Sequence, residues 1–372
     1  MKTERTVPEG SARASVCLVL HAYQPPWLAD VEIEDLVRTC YQPTLALHHE
    51  LRLSLTLNIQ GCLLERLQRL APRFVDQIGE LLSLGLLEVT VSSYYHPCLP
   101  LLPRERRRSQ IVRHFDVLRN ILGVRPVGFW PPELAWTPAL TEELTAIGVQ
   151  WVIVDGSALV RGWSIESTRE EPSAALSAVY LPSELMRAYR FAPAGDLVAL
   201  PRQHLWSQRL FEQEALGDAA GVAAFMRIFG EQARGIVCLA ADAERLVGDS
   251  MRGYELILRQ LAALADVVTP TVAIERRPPT ESIALPIWTW RGALEEWVRG
   301  EGERSFLREL DDARRRLATL SMLSHDEALG ARADDLLMRA ESSCCLFWRV
   351  PCAFLAEGFA HIGHAQSMMD RM

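Results

Sequence analysis

The stretch SVCLVLH, residues 15–21, decides how the fold is interpreted, because a short apolar run rich in valine and leucine ends in an ionisable side chain. Runs of this kind, separated by longer segments with a helical period, are typical of a parallel α/β sheet or barrel. Similar runs recur along the chain in LSLTLNI, LEVTVSS, VGFW, WVIV, VALP, GIVCLA and VVTPTVA. The alternation predicts an α/β protein with buried, parallel strands.

The pattern changes after ERRPPTES, residues 275–282, where strand-like runs disappear and helical spacing dominates. We therefore expect a disordered leader over residues 1–14, a strand-rich domain over residues 15–275 and a helical C-terminal subdomain over residues 276–372. Residues 156–195 have weak periodicity and scattered proline and serine, which indicates a long excursion between two strands.

The composition excludes several classes of function. The chain has 372 residues with 39 Lys plus Arg against 47 Asp plus Glu, a net charge of −8. An acidic chain lacks the cationic surface that drives binding to a phosphate backbone, so we expect no nucleic-acid partner. Lys2 is the sole lysine, which removes both a lysine Schiff base within the fold and a phosphate-loop lysine.

The cysteines and the apolar runs indicate the compartment. The eight cysteines include no CxxC pair, and several lie inside apolar runs, where a reduced thiol behaves as a small hydrophobic residue. The first residues have no apolar segment of signal-peptide length, and no later run approaches the ~18–20 apolar residues of a membrane span. We expect a cytoplasmic protein with no membrane partner.

Ionisable side chains follow five of the apolar runs at the point where each run ends. Because the carboxyl ends of parallel barrel strands converge on one face, side chains there can surround a single substrate. Several aromatic residues lie close to the same positions and offer the flat apolar surfaces that suit a sugar ring. Two carboxylates on different strands suggest glycosidic-bond chemistry. The five residues are His21, His96, Glu133, Asp155 and Asp242.

Four segments carry a family resemblance, in order and in spacing. They are HAYQP (residues 21–25), GLLEVTVSSYYHPCLPLL (85–102), GFWPPELAW (128–136) and ADAERLVG (241–248). They resemble the first four sequence regions of glycoside hydrolase family 57, with further similarity in IWTWRGALEEW and AESSCCLFW. The resemblance implies an incomplete (β/α)7 TIM-like barrel, here the catalytic domain over residues 15–275, followed by a helical region. It also implies retaining hydrolysis or transfer at α-glycosidic bonds of α-glucans.

The resemblance also implies roles for individual residues. Glu133 corresponds to the catalytic nucleophile and Asp242 to the general acid/base, with Glu244 as a rival two residues further on. Glu133 would attack the anomeric carbon while Asp242 protonates the leaving oxygen, and water or a sugar hydroxyl would then release the covalent intermediate. The candidate substrate-binding residues are His21, Tyr23, Gln24, His96, Trp130, Trp136, Asp155 and Arg202.

Two other functions stay open at this stage. A metal-dependent sugar deacetylase or mannosidase would also place histidines and aspartates at strand ends, but needs at least three ligands for each metal. Tyr23 stands where the family commonly has a second histidine, which removes the obvious partner of His21. A catalytically silent glucan-binding protein is the second alternative. We expect an α-glucan or oligosaccharide as partner, no metal and no cofactor, and the sequence does not indicate the oligomeric state.

Overall fold

The computed structural model describes residues 13–160, 182–192, 195–211, 219–324, 326–347 and 353–372. The expected leader therefore lies almost wholly outside the described residues, and so does much of the excursion expected between residues 156 and 195. Within the described residues, no helix is both long enough and apolar enough to cross a membrane.

In the described part of the chain, ten strands form one sheet, and seven of them close into a parallel barrel. Around the barrel the order is β1, β2, β3, β4, β5, β7 and β8, and β8 pairs with β1 on one side and β7 on the other. This confirms the predicted seven-stranded TIM-like fold. The strands are β1 (Ser15–Ala22), β2 (Leu55–Ile59), β3 (Leu87–Val91), β4 (Gly128–Phe129), β5 (Trp151–Asp155), β6 (Tyr189–Phe191), β7 (Val198–Arg202), β8 (Ile236–Asp242), β9 (Asp266–Val267) and β10 (Ser282–Ile283).

The barrel strands are buried on both faces, which explains why their sequences are continuously apolar rather than alternating. All eight residues of β1 are buried, with even-numbered side chains such as Leu18 in the larger core cluster and Cys17 and Val19 in a second one. The short strand β6 pairs antiparallel with β7 and carries β10 on its other side, while β9 pairs with β1.

Helices pack outside the barrel and form the C-terminal region. An irregular π-helical turn, Val37–Tyr41, joins the first two helices. The helices are α1 (Asp30–Leu36), α2 (Gln42–Leu51), α3 (Gly61–Leu70), α4 (Pro72–Ser83), α5 (Arg104–Leu122), α6 (Ala139–Thr145), α7 (His204–Phe211), α8 (Ala219–Gln232), α9 (Asp249–Leu264), α10 (Pro270–Arg276), α11 (Glu301–Leu323), α12 (Glu327–Ala340), α13 (Cys344–Phe347) and α14 (Ala353–Met369).

One strand prediction is wrong. The run VVTPTVA, residues 267–273, contains only the end of the two-residue strand β9, and its last four residues belong to helix α10. Pro270 occupies the first turn of that helix, where the missing N–H is not needed and its fixed φ favours helix. The β-branched residues that follow are therefore helical despite their strand propensity.

The helical C-terminal region has a core of its own. Phe306, Leu310, Ala313 and Leu317 form the buried stripe of α11, as their spacing predicts, and they pack with residues of α12 and α14. The division into domains at residues 275 and 276 stays a prediction. It lies at the end of α10, but β10 still pairs with the barrel-edge strand β6 beyond it.

Candidate active site

The carboxyl ends of the barrel strands bring together most of the predicted site residues. In the strand register, His21 of β1 is opposite Asn58 of β2 on one side and Asp242 of β8 on the other. A cavity of about 520 Å³ opens at this end, within the ~300–1,000 Å³ typical of ligand sites. Its lining residues are His21, Tyr23, Gln24, His96, Trp130, Glu133, Leu134, Arg202, Ser207, Gln208, Ala240, Ala241, Asp242, Glu244, Arg245, Trp290 and Cys344.

Two predicted site residues do not line this cavity. Trp136 is 2% exposed and stacks on Phe191 with ring centroids 4.3 Å apart, while its backbone pairs with Trp288. It is a core residue beneath the site. Asp155 is also buried; it accepts a hydrogen bond from Ser157 Oγ and lies 3.2 Å from Nη1 of Arg202. Asp155 therefore contacts Arg202, which lines the cavity, but does not line the cavity itself.

Glu133 is held by donors on both carboxylate oxygens. Trp290 Nε1 donates to Oε2 at 2.6 Å, and the Ser343 hydroxyl lies 2.6 Å from Oε1. Burial raises the pKa of Glu133, the two hydrogen bonds oppose that rise, and the charge of Asp242 reinforces it. The residue has a left-handed backbone with φ 59°, which is rare outside glycine, and Pro132 precedes it. A backbone fixed in this unusual conformation points to a functional constraint.

Asp242 and Glu244 follow β8 but have different surroundings. The Asp242 side chain is 55% exposed and lies 3.8 Å from Nε of Arg245, so it is free to approach a ligand. Glu244 is mostly enclosed, and its Oε1 accepts hydrogen bonds from the Tyr23 N–H at 3.2 Å, from Gln24 Nε2 at 3.1 Å and from the Tyr41 hydroxyl. Burial, followed by the charge of Asp242, raises the pKa of Glu244 to about 7.

Four rings form a stack along one wall of the cavity. Trp130 and His21 lie 5.0 Å apart between ring centroids, His21 and His96 lie 4.7 Å apart, and His96 and Tyr23 lie 4.4 Å apart. Burial lowers the pKa of both histidines, although Asp242 opposes this at His21. The wall is therefore neutral and aromatic, and the carboxylates lie beside it.

The sequence did not single out the two residues that bond to Glu133. Trp290 and Ser343 come from the segments IWTWRGALEEW and AESSCCLFW, more than 150 positions after Glu133. The weak family similarity of those two segments was the available signal, but spacing alone gives no reason to place them at a barrel mouth. Glu244 was recognised only as a rival of Asp242.

Metal ligation requires several donors at one point. Within the described residues, no group of three or more His, Cys, Asp or Glu side chains is arranged to hold a metal ion. Asn58 Oδ1 lies 2.7 Å from Nδ1 of His21, so one ring nitrogen already has a protein partner.

The sequence motifs, the barrel and the paired carboxylates agree with a family-level comparison. The family model for glycosyl hydrolase family 57 matches residues 19–285. The chain belongs to this family. The residues that match the family 57 model cover most of the barrel, including Glu133, Asp242 and the aromatic wall.

Individual family 57 proteins resemble parts of the chain. A 4-α-glucanotransferase from Thermococcus litoralis is 30% identical over 137 residues, which is 37% of this chain and 21% of that protein. An α-amylase from Pyrococcus furiosus is 31% identical over a segment of the same length, with the same shares. The matched segment spans about a fifth of the length of these relatives.

Solved structures agree on the fold. A family 57 branching enzyme from Thermococcus kodakaraensis superposes with a TM-score of 0.75 at 15% identity, and the match covers 95% of this chain and 89% of that one. At this level of identity the match shows the shared fold and no more.

Proposed function

We propose that the protein cleaves or transfers α-glycosidic bonds of α-glucans with retention of configuration. The observation that carries the proposal is that Glu133 and Asp242, contributed by different strands, line one sugar-sized cavity. Glu133 is fixed by two hydrogen bonds, as a nucleophile must be, whereas Asp242 is exposed and accessible to a leaving oxygen that it would protonate. Retention by such a pair requires carboxyl groups ~5–5.5 Å apart when a substrate is bound.

In the proposed mechanism the nucleophile reacts in its ionised form. Trp290 and Ser343 stabilise the carboxylate of Glu133 against the effect of burial. Attack on the anomeric carbon forms the glycosyl–enzyme ester while Asp242 gives its proton to the departing oxygen. Asp242 then removes a proton from water or from a sugar hydroxyl, and that oxygen attacks the anomeric carbon. The attack releases the Glu133 carboxylate and leaves Asp242 protonated again.

The choice of an α-glucan follows from the wall and from the relatives. The aromatic stack of Trp130, His21, His96 and Tyr23 provides apolar surface for a sugar face, and Gln24 and Arg202 add hydrogen-bonding groups at the rim. The relatives with similar sequences are named α-amylase and 4-α-glucanotransferase. An oligosaccharide of this class is therefore the proposed partner.

We also propose that the protein works in the cytoplasm. None of the seven cysteines in the described part of the chain forms a disulfide, and six of the seven are buried. Buried reduced thiols suit a reducing compartment.

Incubation with maltoheptaose followed by chromatographic resolution of the products tests the function. Chains longer and shorter than the substrate would indicate transfer, and only shorter chains would indicate hydrolysis. Glu133→Gln should abolish either pattern, while Glu142→Gln, at an exposed position 79% accessible, should leave it unchanged. Full turnover by Glu133→Gln would refute the assignment.

The two alternatives have separate signatures. Deacetylase or mannosidase activity would be lost on treatment with EDTA and restored by zinc, whereas the proposed mechanism uses Glu133 and Asp242 and would be insensitive to both. A silent glucan-binding protein would retain maltooligosaccharide in equilibrium dialysis without turning it over. Either result would contradict the proposal.

A further inference from the structure

Ser343 connects two side chains that line the cavity, Glu133 and His96. Its Oγ lies 2.6 Å from Oε1 of Glu133 and 3.0 Å from Nδ1 of His96. His96 Nδ1 is 3.6 Å from the same carboxylate oxygen, so the serine hydroxyl bridges the pair. His96 and Ser343 are both buried, and His96 is 4% exposed.

The hydrogen-bonding capacities fix where the protons lie. A hydroxyl has one proton and two lone pairs, and an ionised carboxylate accepts only. Ser343 therefore donates its proton to Glu133 and presents a lone pair to His96. The ring of His96 can pair with that lone pair only if Nδ1 carries a proton. The nearby negative charge of Glu133 favours the proton at the same position.

The other ring nitrogen supports this tautomer. Nε2 of His96 is buried and has no hydrogen-bond partner within the described part of the chain. A buried N–H without a partner is rarer in proteins than a buried acceptor without one. The lone pair is therefore expected on Nε2 and the proton on Nδ1. Burial keeps the ring neutral, since it lowers the pKa of His96.

We propose that Ser343 is a positioning residue of the active site, in a hydrogen-bond relay from His96 Nδ1–H to Ser343 Oγ–H to Glu133. The relay aligns one oxygen of Glu133 and stabilises its ionised form. The catalytic part of this inference rests on the proposed function, in which Glu133 is the nucleophile. The proton positions do not depend on it.

Several contacts hold Ser343 in this place. Its N–H donates to the His96 carbonyl at 2.9 Å, which supports the left-handed backbone of His96, φ 57°. Two positions earlier, Glu341 is fully buried and accepts hydrogen bonds from Arg106 Nε and Gln110 Nε2 of α5, both at 2.6 Å. The segment after α12 is thereby anchored to the barrel, and the hydroxyl reaches the site in a fixed direction.

The charged and titratable groups around Glu133 set the background for its ionisation. The charge of Asp242, at the end of β8, raises the pKa of Glu133. The charge of Arg291, which follows Trp290, lowers the pKa of Glu133. Among the described residues, further titratable groups that face Glu133 or its relay are His96, Cys98, His21 and Tyr23. These groups are the same in the unmodified protein and in a Ser343 variant, so the loss of the Ser343 donor alone would change the ionisation of Glu133.

Histidine-selective ¹⁵N NMR of the free protein tests the relay without reference to activity. His96 should show a protonated Nδ1 and an unprotonated Nε2, with its signal identified by its disappearance in His96→Asn and its shift in Ser343→Ala. Asparagine tolerates left-handed backbone, which favours folding of the first variant. Protonation at Nε2 in the unmodified protein would overturn the proposal, even if the protein proves to be an active glucan enzyme.

Kinetics with a maltooligosaccharide test the positioning role. Ser343→Ala should reduce kcat/KM roughly 10- to 100-fold, mainly through kcat, because a donor to a charged group is lost. The acidic limb of its pH profile should move up by about one pH unit, since Glu133 protonates more easily. Ser343→Thr, which keeps the hydroxyl, should recover most of the activity.

Ser321→Ala, at an exposed position of α11, is the matched control and should have wild-type kinetics. An unchanged pH profile in Ser343→Ala, or a Ser343→Thr variant as impaired as the alanine variant, would contradict the relay. A protein with no glucan turnover but with His96 protonated at Nδ1 would refute the proposed function and leave the relay established.

Discussion

Replacing Glu244 by glutamine should remove one component of the pH-dependent stability of the protein. The carboxyl pKa rises from 4.5 to about 7 on folding, so the native state binds this proton more tightly than the unfolded state does. The associated stabilisation is complete below the unfolded pKa, decreases as the pH rises from about 4.5 to 7, and is absent above that window. Glutamine cannot ionise and should not follow this trend.

The magnitude follows from 1.36 kcal/mol per pKa unit. Between pH 5 and pH 8, ionisation of a carboxyl with these two pKa values lowers the free energy of unfolding by about 2.5 kcal/mol. The Glu244 side chain is partly accessible to solvent, which screens its charge, so we expect about 2 kcal/mol. From pH 5 to pH 8, the free energy of unfolding of Glu244→Gln should therefore increase by this amount relative to that of the unmodified protein.

Urea denaturation at pH 5 and pH 8 measures this double difference. Because both proteins share every other titrating group, the comparison isolates position 244. Glu231→Gln, an exposed position on α8, is the control and should follow the unmodified protein at both pH values. Parallel pH dependences of Glu244→Gln and the unmodified protein would show that the pKa of Glu244 is not raised on folding. A variant that is less stable relative to the unmodified protein at pH 8 than at pH 5 would show the same.

Three further substitutions test the site and the barrel. Asp242→Asn should lower kcat ~10²- to 10⁴-fold on maltooligosaccharides. The loss of kcat should be much smaller on an α-glucosyl fluoride, because its leaving group needs no protonation. Trp290→Phe keeps an aromatic ring but removes the donor to Glu133 Oε2, so kcat/KM should fall roughly 10- to 100-fold. Gly128→Ala should destabilise the fold by about 1–3 kcal/mol, because its added methyl carbon would lie 2.1 Å from the Trp151 indole.

The substitutions at Asp242 and Gly128 each have a matched control and a contradicting result. Asp249→Asn, on the exposed first turn of α9, should retain full kcat; equal losses at 242 and 249 would argue against a specific acid. Gly79→Ala has open space around the new methyl group and should be neutral or stabilising in urea denaturation. Wild-type stability of Gly128→Ala would show that the barrel is packed less tightly there than the structure indicates.

The sequence predicted the barrel because burial on both faces leaves a direct signature. Runs such as SVCLVL and GIVCLA are continuously apolar, and each ends at the mouth of the barrel in His21 or Asp242. The run VVTPTVA failed because proline at a helix start outweighs β-branched propensity. Trp136 was predicted to bind substrate because it lies near Glu133 in sequence. Its side chain instead packs in the core against Phe191.

The donors to Glu133 could not be predicted from local pattern. Trp290 and Ser343 lie 157 and 210 positions after Glu133, so the tertiary fold, and no local pattern, brings them to it. The buried contacts of Glu341 with Arg106 and Gln110 hold that packing in place. The barrel therefore supplies the candidate acid and nucleophile, and the C-terminal region supplies the groups that orient the nucleophile.

Trapping of the glycosyl–enzyme intermediate tests whether Glu133 is the nucleophile. A 5-fluoro-α-glucosyl fluoride forms the ester quickly and releases it slowly, so peptide mass spectrometry locates the attached sugar. This assignment predicts the label on Glu133, together with ¹H NMR spectra in which the first product keeps the α configuration. A label on Asp242 or Glu244, or a first product of inverted configuration, would contradict it.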